Sequence, residues 1–151
     1  MIWGCFSSKG TGRMCEVDGI LDGPKYTRIL DSHLLPSACS FGMCGRDFVF
    51  QQDGDPKHGS ALAKNWIQDH DIQVLDWPAQ SPDLNPIEHL WDHIKLRLNG
   101  YETYPTSIHE LKCRIEAEWA KVPKELCAKL VNSMPNRIQE VLAAKGGHTT
   151  Y

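Results

Sequence analysis

Three prolines crowd the stretch from Trp77 to Pro86, at positions 78, 82 and 86. A proline ring fixes φ, removes a backbone donor and pushes the preceding residue out of the helical region. Neither a helix nor a central strand can run through such a segment, so it must be an extended, stiff loop. It divides the 151-residue chain into two stretches of different hydrophobic rhythm.

Before the loop, short β-rich runs alternate with turns. Ile2 to Phe6 and Arg13 to Val17 read as strands, separated by the breaker-rich Ser7 to Gly12. Asp22-Gly23-Pro24 places a cap residue just before a first-turn proline, the signature of a helix start. Tyr26, Ile29, Leu30, His33 and Leu34 follow at helical spacing, and Pro36 is expected to stop the helix. Phe48 to Gln52 is the clearest strand, and it must end at Asp53-Gly54-Asp55-Pro56. Ser60 to Asp69 predicts a short helix with Leu62, Trp66 and Ile67 on one face, and Ile72 to Leu75 another short strand.

After the loop the rhythm is helical. Ile87, Leu90, Trp91, Ile94 and Leu98 form one apolar stripe. Ile108, Leu111, Ile115 and Trp119 form a second, opened by Ser107 with Glu110 three residues on. Leu126 with Leu130, and Ile138 with Val141 and Leu142, form two shorter ones. Strands with interleaved helices, then helices alone, predict an α/β fold: a mixed sheet with flanking helices, followed by C-terminal helices. The length suits one domain over 1–151, with 101–151 as its helical C-terminal part.

Composition excludes several classes. No run approaches the roughly 18 apolar residues of a membrane span, and the N-terminus lacks the basic-then-apolar pattern of a signal peptide. A formal net charge of −3 is no electrostatic footprint for nucleic acid, so any such function is expected to rest on a site or on a segment missing from this chain. The six cysteines form no Cys-x-x-Cys pair, and they read as buried, reduced thiols. His109 and Cys113 share a helix face but lack the two further partners of a zinc site.

Two carboxylates carry the chemistry. Asp53 closes the best strand, at the edge where open α/β sheets place active residues, and Glu88 stands in the first turn of a helix. Hard oxygen donors of this kind suit Mg²⁺ or Mn²⁺. Each also fits a structural role: Asp53-Gly54 is a common turn dipeptide, and Asn85-Pro86-Ile87-Glu88 reads as a capping box. A calcium loop beginning at Asp53 fails, because Lys57 and His58 stand where an oxygen ligand and a glycine belong.

Longer motifs surround both residues. Phe50-Gln51-Gln52-Asp53-Gly54-Asp55-Pro56-Lys57-His58 is similar to the second-aspartate motif of the mariner transposase superfamily. Asp76 through Trp91, containing Ser81-Pro82-Asp83-Leu84-Asn85-Pro86-Ile87-Glu88, resembles that family's glutamate motif nearly residue for residue. The 34 residues between Asp53 and Glu88 match its interval, while Trp3-Gly4-Cys5-Phe6-Ser7 and Ala143 to Tyr151 resemble its flanks.

The resemblance implies a ribonuclease-H-like fold with an Asp-Asp-Glu site, and a cut-and-paste chemistry of DNA strand cleavage and strand transfer. It implies Asp53 and Glu88 as catalytic residues and ligands of Mg²⁺ or Mn²⁺. His58 and Asn85 stand beside them as candidate supports or DNA contacts, with turn packing the alternative for His58 and helix capping the favoured one for Asn85. It implies DNA (transposon ends and target) as partner, homodimers, and a nuclear location. The family's first aspartate lies on a central strand before Ile2. The chain therefore reads as truncated before its first catalytic residue, and alone it is expected to transfer strands little or not at all. Gly54 departs from the family's usual asparagine. The competing reading is an inactive transposase-derived remnant that only binds DNA or protein.

Overall fold

The computed structural model describes residues 1–43, 47–78 and 81–147. Cys44, the Ala79-Gln80 pair of the proline loop and the terminal 148–151 of the expected C-terminal motif lie outside them.

β1 (Ile2–Ser7) and β2 (Gly10–Glu16) form a hairpin. Only Ser8 and Lys9 connect them, so the pairing is antiparallel. The Val17 amide donates to the Met1 carbonyl at 2.8 Å where the ladder closes. The turn is thus tighter than the run Ser7 to Gly12 suggested. Gly10 takes φ +134°, a conformation open to glycine. Gly12 stays within the strand because space requires it: a Cβ there would stand 2.7 Å from both Cys5 Sγ and Ser37 Oγ.

α1 (Gly23–Ile29) begins as expected, the Asp22 carboxylate accepting from the Lys25 amide at 2.8 Å. It does not stop before Pro36. The helix passes through a π-helical stretch, Leu30–Leu34, into α2 (Leu35–Ser40), which carries Pro36 in its first turn. The wide turn bonds the Leu35 amide back to the Leu30 carbonyl. The Ser32 carbonyl, which a proline four residues on cannot serve, accepts from the Arg13 guanidinium at 3.0 Å.

β3 (Val49–Phe50) and β4 (Gln73–Val74) pair in parallel through α3 (Ala61–Asp69), Val49 opposite Gln73 and Phe50 opposite Val74. The expected mixed sheet is therefore present, among the described residues, as two separate two-stranded sheets. Both later strands are shorter than their β-rich runs, because composition marks residues that tolerate extension while a ladder needs a partner at each position. On α3, Ala63 and Trp66 are buried and Leu62 is exposed, so the buried face is rotated from the one expected. Val17, Tyr26, Leu30, Phe50, Trp66 and Ile72 belong to one core cluster.

The chain divides into two compact units: Met1–Cys5 with Gly12–Pro82, and Phe6–Thr11 with Asp83–Tyr151. The second holds α4 (Pro86–Asn99), α5 (Ile108–Ala120), α6 (Lys124–Asn132) and α7 (Met134–Ala143). α4 buries Leu90 and Ile94, and its Trp91 stacks on Trp119 with centroids 4.9 Å apart. α5 is capped by Ser107, whose Oγ accepts from the Glu110 amide at 3.0 Å. The Glu110 carboxylate reaches back to Thr106 rather than Ser107, accepting from its amide and hydroxyl at 2.7 Å each.

Two stripes are corrected by the structure. On α5, Ile108 and Leu111 face solvent and Trp119 is the buried member. On α7, Ile138 and Leu142 are exposed and the buried residue is Arg137. Helical spacing marks a face; what covers that face is a tertiary matter. The thiols are also more exposed than expected: of those described, Cys127 is buried, Cys5 and Cys15 are partly so, and Cys39 and Cys113 are exposed. Among the described residues, no helix is long and apolar enough to cross a membrane.

Candidate functional site

Asp53 follows β3 on the loop that leads to α3, with its side chain 52% exposed. The loop folds on its own carboxylates. The Asp55 amide donates to Asp53 Oδ1 at 3.2 Å, and the Lys57 amide to Asp55 Oδ1 at 2.9 Å. That amide bond, helped by the Lys57 ammonium, holds Asp55 below the usual carboxylate range. Gly54 borders open space, so a side chain there would meet nothing.

His58 is brought to Asp53. Its Nδ1 lies 2.8 Å from Asp53 Oδ1, with the imidazole mostly shielded from solvent. A carboxylate only accepts, so Nδ1 is the donor. The ring is held from its other side by Tyr26, stacked at 4.3 Å between centroids and 29° between planes. Tyr26 is fully buried, and its hydroxyl donates to Gln52 Oε1, the residue before Asp53. Burial, and then the carboxylates of Asp53 and Asp55, push the phenol above its normal value, which keeps it a donor. Tyr26 read from the sequence as one more member of an apolar stripe. The available signal was its hydroxyl, since a buried tyrosine must find a polar partner.

Gln52 and His58 also line a cavity of about 610 Å³ in the first unit, with Lys64, Gln68, Gln73 and Asp71 among its polar walls.

Glu88 stands, as expected, in the first turn of α4, and it is exposed. Asn85 caps that helix, its side chain accepting from the Ile87 amide at 3.4 Å, and the Glu88 amide bonds the Asn85 carbonyl at 3.2 Å. The reciprocal half of a capping box is not made: no described residue hydrogen-bonds the Glu88 carboxylate. Asp53 and His58 lie in the first unit, Asn85 and Glu88 in the second. Among the described residues, no three His, Cys, Asp or Glu side chains group as a metal site. His109 Nε2 and Cys113 Sγ stand 3.7 Å apart without further ligands.

The sequence pattern of the DDE superfamily endonucleases matches residues 20–112, a span that includes both Asp53 and Glu88. The chain belongs to the DDE superfamily endonucleases. Over its whole length it is 41% identical to the Tc1 transposase of Caenorhabditis elegans, of which it covers 54%. It thus spans about half the length of the curated relatives it matches. The catalytic domain of the Mos1 mariner transposase superposes with a TM-score of 0.84 at 18% identity, over 97% of this chain and 74% of that one. The Mos1 mariner paired end complex with Mn superposes at 0.83, also 18% identical, over 97% and 44%. This DDE endonuclease chain therefore has the ribonuclease-H-like α/β fold that the glutamate motif led one to expect, shared with the Mos1 mariner catalytic domain, and its relatives in sequence include the Tc1 and Tc3 transposases.

Proposed function

We propose that this chain is the metal-binding part of the catalytic domain of a cut-and-paste DNA transposase, acting on transposon ends and target DNA in the nucleus. The observation that carries the reading is the 41% identity with the Tc1 transposase over all 151 residues, a span that includes both the Asp53 loop and the Glu88 helix. Asp53 and Glu88 are the ligands of a divalent ion in this reading. The donor set fits: both are carboxylates, both are exposed, and neither is held in a salt bridge with a lysine or arginine among the described residues. Mg²⁺ and Mn²⁺ take such oxygen ligands, and Mn accompanies the Mos1 paired end complex. When bound, such an ion supplies Lewis-acid stabilisation of charge on a transferring phosphate.

The chain's own contribution is placement. His58 holds one Asp53 oxygen and leaves the other for a ligand, while Tyr26 fixes the imidazole. Asn85 sets the start of α4, so Glu88 is presented from a rigid helical turn. A homodimer is the working form in this reading.

The test has two parts. Mn²⁺ binding to the chain, followed by electron paramagnetic resonance, should weaken about tenfold or more in Asp53→Asn and in Glu88→Gln. Grafted in place of the matching segment of the Tc1 transposase, the chain should support excision of a marked element, and Asp53→Ala should abolish it. Binding untouched by either substitution, or excision that survives Asp53→Ala, would overturn the reading.

A further inference from the structure

Arg137 is 1% exposed, although Ile138 and Leu142 on the same helix face solvent. A guanidinium removed from water costs several kcal/mol unless its N–H groups are engaged, and here they are. Nε donates to Ser133 Oγ at 2.9 Å. Ser133 in turn donates to the Leu130 carbonyl at 2.7 Å, which leaves a lone pair for the arginine. One terminal nitrogen donates to the Asp83 carbonyl, and the other meets His89 Nδ1 at 3.2 Å. Arginine carries no acceptor, so His89 Nδ1 must accept.

Asp83 and His89 bracket Asn85-Pro86-Ile87-Glu88. One planar fork therefore holds both sides of the glutamate's turn: the loop that enters α4 and the residue next to Glu88. We propose that Arg137 is the positioning residue of Glu88. It clamps the proline-loop exit to the first turn of α4, so that the C-terminal helix sets where the carboxylate stands. This rests on Glu88 being a metal ligand. A lysine would keep the charge, but its single ammonium on a flexible stem does not span a carbonyl and an imidazole as a fork does.

Amide hydrogen exchange of the whole chain tests the clamp. Arg137→Gln should speed exchange at Glu88, His89 and Leu90 by about tenfold or more, since hydrogen bonds to a charged group are lost, while amides around Trp119 keep their rates. Arg137→Lys should fall between. Mn²⁺ affinity should drop with the same ranking. Should Arg137→Gln fail to fold, His89→Phe removes one acceptor, keeps a ring, and should give the same local pattern more weakly. Exchange that rises evenly across 83–147, or rises nowhere, overturns the proposal. A wild-type chain that binds no Mn²⁺ would instead count against Glu88 as a ligand, and the exchange pattern would still decide the clamp.

Discussion

Around Asp53, one hydrogen bond and one ring stack separate a turn aspartate from a positioned one. The Tyr26 hydroxyl serves Gln52 and its ring serves His58, so the two roles can be split. Tyr26→Phe keeps the stack and loses the hydrogen bond; urea unfolding should show a loss of about 0.5–1.5 kcal/mol. His58→Ala removes the imidazole from Asp53 Oδ1 and leaves it only the Asp55 amide, and on the proposed function Mn²⁺ affinity should fall about 10- to 100-fold. Gly54→Asn restores the residue usual in the family. Open space surrounds that position, so melting temperature should be unchanged, and a marked drop would mean that the loop needs glycine.

At the scale of elements, caps and kinks decide where helices begin and end. The Glu110 carboxylate is held down to about 2, chiefly by the Thr106 amide, then by the Thr106 hydroxyl and Arg114. A folded value below the ordinary 4.5 stabilises the native state above that pH, and the contribution is lost as pH falls from 4.5 toward 2. Thermal melts across that window should therefore show a fall that Glu110→Gln flattens. On α4, Leu90 is fully buried, and Leu90→Ala should cost about 2–5 kcal/mol. Pro36 teaches the complementary point. As a breaker it should have ended the first helix, but a π-helical turn and the Arg13 guanidinium absorb it.

For the whole molecule, charge and function pull apart. A chain at −3 lacks the basic excess that drives DNA association by counterion release. If DNA is its partner, affinity in a gel shift should fall only about tenfold between 50 and 200 mM salt, far less than the 10³–10⁵ of proteins with six to ten phosphate contacts. A steep salt dependence would point to a basic surface that the sequence does not advertise.

The sequence by itself determined the order of strands and helices, the caps at Asp22, Asn85 and Ser107, and the two motif carboxylates. These are local matters of propensity, turn chemistry and spacing, so a single chain segment carries them. It also carried the family, because the glutamate motif is long and specific. Tertiary structure alone decided that Tyr26 and His58 meet behind Asp53, that Pro36 rides inside a helix, and that α7 buries an arginine instead of Ile138 and Leu142. Those outcomes depend on partners distant in sequence: Arg13 lies 19 residues from Ser32, and Arg137 lies 48 residues from His89. Periodicity can mark a face for burial, but only packing supplies the surface that covers it.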